Sequence, residues 1–357
     1  MHTGIANLPL HNGQAPSWLF KRMTALASKI VILIVTEKGH NVLLEKLSDP
    51  YWFQAFGCIL GFDWHSSGIT TTACAAIKEG IRGIEKELGI YVAGGKGKTS
   101  RRTPQEIMRV GPYLKDDPEK LVYASRIAAK VDNNALQDGF KLYHHSFIFT
   151  SNGEWAVIQQ GMNEDNRYAR RYHWLSSKLK DFVCEPQKAV CSDIKTQPLN
   201  LVAKESADTR KVSTLISQLT PDKILGEINK LKTYNLPLRH HILINDINPK
   251  RLEKIFIKTY ERQPEDFETL LAMQGVGPKT LRALSLISEL IYGTKLSKKD
   301  PATYSFAHGG KDGHPFPVDR IIYDNSINIL KDAIAKANIG RTDKINALRR
   351  LHKIFQD

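Results

Sequence analysis

The chain has 357 residues, of which 41% are hydrophobic, 25% charged and 8% aromatic. This composition excludes a disordered chain, a collagen-like fibre and a disulfide scaffold, and the length suits two domains or three. Lysine and arginine total 51 against 37 acidic residues, a formal +14 that points toward a polyanionic partner. The longest wholly apolar run, Ile30 to Val35, is six residues, far short of a membrane span. The first residues lack the basic start and apolar stretch of a signal peptide. Cys58, Cys74, Cys184 and Cys191 lack the spacing of a disulfide framework or a zinc cluster and read as thiols of a reducing cytoplasm.

The charge divides the chain unevenly. Residues 1–208 carry 26 basic and 21 acidic side chains, a net +5, whereas residues 209–357 carry 25 and 16, a net +9. Between Cys184 and Asp208 there is no hydrophobic periodicity, and Pro186 and Pro198 interrupt the segment. The expected organisation is an α/β or α+β domain over 1–183 with a small mixed sheet, a linker over 184–208, and an all-α domain over 209–357.

Residues 16–47 read as helical, with Trp18, Leu19, Met23, Leu26 and Ile30 at helical spacing. Cys58 to Asp63 reads as a short buried strand, Ile69 to Leu88 as a long helix and Ile90 to Ala93 as a second strand. Strand–helix–strand predicts a right-handed crossover in a parallel sheet. Ligands of open α/β sheets gather beyond the carboxyl ends of the strands. Those ends would carry Asp63 and His65 on one strand, and Gly94 to Lys98, followed by Arg101 and Arg102, on the other. The second cluster suits a phosphate or a nucleic-acid backbone through Lys96, Lys98, Arg101 and Arg102. It is not a P-loop: the position five residues before Gly97 is Val92, and a capping box at Thr103 to Glu106 starts the next helix instead.

Tyr143 to Thr150 and Glu154 to Gln160 flank Ser151-Asn152-Gly153, a hairpin signal. His144 and His145 would face opposite sides of that sheet. Carboxylate and imidazole groups at Asp63, His65, His144 or His145, and Asp138 or Glu154 would suit Mg²⁺ or Mn²⁺ if they came together, as in a metal-dependent nuclease. Lys130 and Asp132 lie just upstream. From Asn166 to Lys180, Arg167, Arg170, Arg171, Lys178 and Lys180 interleave with Tyr168, Tyr172 and Trp174. This pattern suits phosphate contact and base stacking. A solvated helix with an aromatic stripe would look similar.

The most specific signal lies in residues 263–293. Pro264 opens one helix, Gly275-Val276-Gly277 makes a turn, and Pro278 opens a second helix with Leu281, Leu284, Ile287 and Ile291 at helical spacing. The stretch Met273 to Thr280 resembles the helix-hairpin-helix DNA-binding family. In that resemblance Gly275, Val276, Gly277, Lys279 and Thr280 meet a DNA backbone, with amides at the second helix's positive end on phosphate oxygens. Farther on, Tyr304 to Asp319 is rich in glycine and proline and ends Pro317-Val318-Asp319-Arg320. This is similar to base-excision DNA glycosylases, nearest to the archaeal oxoguanine glycosylases. The resemblance implies DNA repair, with Lys279 as the nucleophile of a Schiff base and Asp319 as the stabiliser of charge on the sugar, and with no cofactor.

TGIANLPLHNG, SDPYWFQAFGCILGFDWHSSG, YVAGGKGKTS and WAVIQQGMN give the whole chain a resemblance to an uncharacterised archaeal and bacterial family. Three functions follow as expectations. The first is a base-excision glycosylase or abasic-site lyase acting through Lys279 and Asp319. The second is a DNA nuclease, a metal-dependent hydrolase centred on Asp63 and His65. The third is a non-catalytic DNA-binding scaffold. The expected partner in each is double-stranded or damaged DNA, without a membrane, in the cytoplasm at the nucleoid.

Overall fold

A computed structural model describes residues 15–62, 68–165, 168–233, 248–304, 320–337 and 340–354. The described residues open with helices α1 (Ser17–Lys38), α2 (His40–Leu47), α3 (Pro50–Leu60) and α4 (Gly68–Gly80), then the one-turn α5 (Glu85–Leu88). Strand β1 (Ile90–Lys96) runs into a 3-10 segment, Gly97–Arg102, followed by α6 (Thr103–Val110) and α7 (Pro118–Lys130). A π-helical turn, Val131–Ala135, leads to β2 (Leu136–Gln137). The remaining strands are β3 (Lys141–Thr150), β4 (Trp155–Met162), β5 (Ala169–Leu175), β6 (Ala189–Cys191) and β7 (Leu199–Asn200). After them come α8 (Ala207–Ser217), α9 (Pro221–Thr233), α10 (Pro249–Arg262), α11 (Phe267–Ala272), α12 (Pro278–Leu290), α13 (Arg320–Lys336) and α14 (Arg341–Ile354).

The fold is α+β. Its main sheet has the order β1-β3-β4-β5-β6 with every neighbouring pair antiparallel, and β2 pairs with β7 beside it. Alternate residues of each strand face opposite sides. On one side Tyr91, Phe147, Phe149, Trp155, Val157, Tyr172 and Trp174 join α7, α8 and α12 in one core. On the other, Ile90, Ile148, Ala156, Ile158 and Leu175 join α1 to α4 together with α13 and α14. The sheet is thus a middle layer covered on both faces. The last two helices return to the amino-terminal layer, where Lys336 pairs with Glu37 at 2.7 Å.

Several sequence expectations are corrected by this arrangement. Cys58 to Leu60 belongs to α3, not to a strand. Asp49 Oδ1 accepts the Trp52 N–H at 2.8 Å, Pro50 occupies the first turn, and nearly every residue of α3 is buried. A short apolar run buried all round has no periodicity to separate helix from strand. With that strand gone, the parallel crossover disappears. The helix expected over Ile69 to Leu88 breaks after Gly80 and resumes only at Glu85. The expected capping box at Thr103 does not form. The Thr103 hydroxyl donates to the Ser100 carbonyl at 2.7 Å, and Glu106 turns to the Gly94 N–H and the Lys78 ammonium. The hairpin around Ser151-Asn152-Gly153 forms in register, with Phe149 opposite Trp155.

The segment expected as a linker, 184–208, is part of the fold. β6 extends the main sheet, β7 closes the small one, and Val190, Cys191, Leu199 and Leu201 are buried. Its lack of periodicity reflects strands of two and three residues, too short to show alternation.

The doubly covered sheet also changes the Arg167 to Lys180 stretch. Arg167 lies outside the described residues. Arg170 and Arg171 sit on β5 and are buried, so neither is presented to a DNA backbone, and the sequence expectation for both is corrected. Arg170 Nη1 donates to Asp138 Oδ2 at 2.9 Å and Nη2 to Asp300 Oδ2 at 2.8 Å, with all three side chains at most 5% exposed. The Arg171 guanidinium lies over the Phe53 ring, 4.8 Å from its centroid. Removing the cation from the first group would strand two buried carboxylates. Arg170→Ala is therefore expected to lower unfolding stability by about 3–5 kcal/mol, read from urea denaturation. A loss under 1 kcal/mol would show that the triad is not holding the fold.

Candidate functional site

The glycine turn between α11 and α12 is the best-defined surface feature. Asp266 caps α11, its Oδ1 accepting the Thr269 N–H at 2.7 Å, and Leu270 and Leu271 bury the helix's apolar face. The chain turns through Gln274 and Gly275, both exposed. Gly275 has φ +96°, a backbone region that side chains disfavour. Val276 is 2% exposed and plugs the turn into the core. Gly277 is the N-cap of α12 and Pro278 its first residue, and no side chain caps the helix. Among the described residues, the first N–H groups of α12 accordingly have no side-chain partner at the positive end of its dipole. Lys279 is exposed beside them.

A lysine far away in sequence fixes this turn. The Lys130 ammonium, at the end of α7, donates to the carbonyls of Leu271 at 2.6 Å, Met273 at 2.6 Å and Val276 at 3.4 Å. In a trans peptide the N–H points away from the C=O. Drawing the Met273 and Val276 carbonyls inward therefore turns the Gln274 and Gly277 N–H groups outward. Burial pushes the Lys130 ammonium down to about 8. Next to it, Gln137 Nε2 donates to the Pro278 carbonyl at 2.8 Å, and Arg282 Nε donates to Gln137 Oε1 at 2.9 Å. At the start of α11, Glu268 accepts from the Tyr123 hydroxyl of α7 at 2.6 Å. The turn is thus mounted on α7 through Lys130 and on β2 through Gln137.

Among the residues expected to touch DNA here, Gly275, Gly277 and Lys279 are at the surface. Val276 and Thr280 are not: both are buried and anchor the turn from within. Lys96, Lys98, Arg101 and Arg102 are exposed, on the end of β1 and the 3-10 segment after it. Asp319 lies outside the described residues, so its relation to Lys279 does too.

The alternative metal site does not assemble among the described residues. Asp63 and His65 lie outside them. Asp138 is committed to Arg170, to the Tyr172 hydroxyl at 2.7 Å and to the Phe140 N–H. His145 has both ring nitrogens engaged, with Ser125 at 2.9 Å and Gln159 at 2.8 Å. His144 meets the Ser146 hydroxyl at 3.1 Å. Burial drives His145 down to about 4 and His144 to about 3, so both are neutral packing groups. Glu154 accepts from Thr150 in the hairpin turn, at the other end of the strands from His144, which pairs with Gln160. No group of three or more potential metal ligands occurs among the described residues.

Asp132, in the π-helical turn, is wholly buried and accepts from Trp174 Nε1 at 2.8 Å and Gln187 Nε2 at 2.6 Å, with Gln159 as a third donor. Burial raises its carboxyl to about 8.

Residues 4–318 match the family described as "Protein of unknown function (DUF763)". The chain belongs to that family. No curated protein and no solved structure matches it. Among the described residues, no helix is long and apolar enough to cross a membrane.

Sequence reasoning noted Lys130 but gave it no role, and it missed Gln137 and Arg282. Their partners lie more than 140 residues away, and no local pattern could pair them. Lys130→Met would leave the turn carbonyls without their cation. It is expected to cost about 1–3 kcal/mol in urea unfolding and to speed amide exchange at Val276, whose N–H donates to the Met273 carbonyl that Lys130 holds. Unchanged exchange at that amide would remove Lys130 from the account. The folded Asp132 carboxyl holds its proton up to about 8, whereas an unfolded one releases it near ~4. The folded state then binds more protons between those values, so stability from this group falls as pH rises through that window. Urea midpoints are expected to fall between pH 5 and pH 8, with a shallower fall in Asp132→Asn.

Proposed function

We propose that this protein binds the backbone of duplex DNA through the turn from Gln274 to Lys279, as a helix-hairpin-helix element of a DNA-processing protein. The observation that carries the reading is Gly277. Its φ of −127° suits any residue. A Cβ there would meet nothing closer than the Gly275 carbonyl at 3.9 Å. Neither internal packing nor backbone conformation calls for glycine at this position. Close approach by an external backbone does. The outward N–H groups, the unopposed helix N-terminus and the exposed Lys279 then meet phosphate oxygens. The net +9 of residues 209–357 favours the same partner. Binding of this kind positions a protein without reading sequence, and it weakens steeply with salt.

A second reading adds chemistry to that contact. Lys279 is exposed next to the amides that would hold a flanking phosphate. Its amine would add to C1′ of an abasic sugar in its open aldehyde form, and loss of the C1′ oxygen as water would give a Schiff base, with Asp319 stabilising the positive charge there, as in the base-excision enzymes the sequence resembles. The nuclease reading has no comparable support among the described residues.

Gly277→Ala separates DNA contact from folding. Its unfolding midpoint is expected within about 1 kcal/mol of the parent, while affinity for a labelled duplex drops tenfold or more. Unchanged affinity would overturn the DNA reading. Borohydride trapping on an abasic duplex, lost in Lys279→Gln, tests the lyase step. An untrapped complex that still binds leaves a backbone-binding protein without that chemistry.

A further inference from the structure

The helix beside the turn carries a feature that the hairpin reading leaves unused. α10 buries Leu252, Phe256 and Thr259. At 3.6 residues per turn, Arg251, Lys254, Lys258 and Arg262 fall within about 80° of arc on its outer side. All four are exposed, and among the described residues none of them makes an ion pair. Of the acidic residues on this helix, Glu253 falls on the far side and Glu261 at the stripe's margin. Ile255 is half-buried and lies between the core-facing side and the stripe. Its Cγ1 is 3.7 Å from where a Cβ on Gly275 would stand. The basic stripe therefore borders the glycine turn across a single side chain.

We propose that this stripe is a second backbone-binding track for the same DNA duplex, continuous with the turn; the inference rests on the DNA reading above. From Arg251 to Arg262 the helix rises about 16 Å, over which one strand of a duplex presents about five phosphates. Four unpaired cations along that length match a row of phosphates in charge and extent. The turn holds one point on the backbone, and the stripe sets the direction in which the duplex leaves it. Two points of contact fix an orientation that a single hairpin does not.

The test uses the full chain and a fluorescein-labelled duplex of about 25 base pairs, with anisotropy followed through a potassium chloride titration. In one variant Arg251, Lys254, Lys258 and Arg262 are all changed to Gln. A charge-matched control changes Lys21, Lys29, Lys38 and Lys115, which are exposed elsewhere, to Gln. The stripe variant is expected to bind at least tenfold more weakly, with a salt slope shallower by about 2–4. The control is expected to keep nearly the parent slope, and both are expected to retain the parent's thermal midpoint. Equal losses in the two variants would overturn the stripe, because net charge alone would then explain the effect. So would stripe-dependent binding of duplex RNA without DNA. A stripe variant that binds like the parent, while Gly277→Ala fails to bind, would overturn the stripe and leave the hairpin reading standing. Absence of duplex binding by the parent would overturn both.

Discussion

The antiparallel sheet is covered by helices on both faces, and most of the molecule follows from that constraint. A strand buried on both sides has no solvent face on which to place polar residues. Several polar side chains on β3, β4 and β5 therefore find partners inside. Arg170 finds Asp138 and Asp300, His145 finds Ser125 and Gln159, and Trp174 donates to Asp132. Within a basic and aromatic stretch that resembles a nucleic-acid surface, Arg170, Arg171, Tyr172 and Trp174 are in this setting an internal bracing of the sheet, while Lys178 and Lys180 stay exposed. Buried cations paired in this way set which elements meet. Asp300, for example, is brought from beyond α12 to a strand more than a hundred residues earlier.

The same layering joins what the sequence separates. The glycine turn does not hang from an independent carboxy-terminal unit. Its helices share a core with β1, β3, β4 and β5, and its carbonyls are held by a lysine at the end of α7. The outward presentation of its amides is a consequence of that inward pull. Two properties are thereby combined at one place: a backbone held rigidly from below and an open surface above, bordered by a basic helix face. A rigid mount would suit the proposed contact with a regular polyanion, because each backbone amide could then meet an oxygen without first being ordered.

Legibility in the sequence followed the reach of the governing interaction. The β3–β4 hairpin was readable because alternation and Ser151-Asn152-Gly153 act over neighbouring residues. The pair α11 and α12 was readable for the same reason, through Gly275, Gly277 and Pro278, although Asp266 rather than Pro264 opens α11. Failure came where burial removed the pattern. The uniformly apolar Cys58 to Leu60 reads equally as strand or helix, and the decisive Asp49 cap lies nine residues upstream of Cys58. The segment 184–208 looked like a linker because its strands are shorter than one period of any pattern. The candidate site was half visible: the glycines and Lys279 declared themselves, whereas Lys130, Gln137 and the neighbouring face of α10 did not.

The opening charge imbalance shows the division between the two levels. By itself the sequence determined that the chain is basic, folded and free of long apolar runs, and that a glycine turn stands between two helices near residue 275. These depend on composition and on contacts within a few residues, which the chain carries wherever it is placed. Only the tertiary structure decided which charges are available. It buried Arg170 and Arg171, left Lys279 and the stripe of α10 outside, and brought Ile255 against Gly275. Whether a cation faces water or a carboxylate depends on what packs over it, and that covering comes from segments distant in the chain.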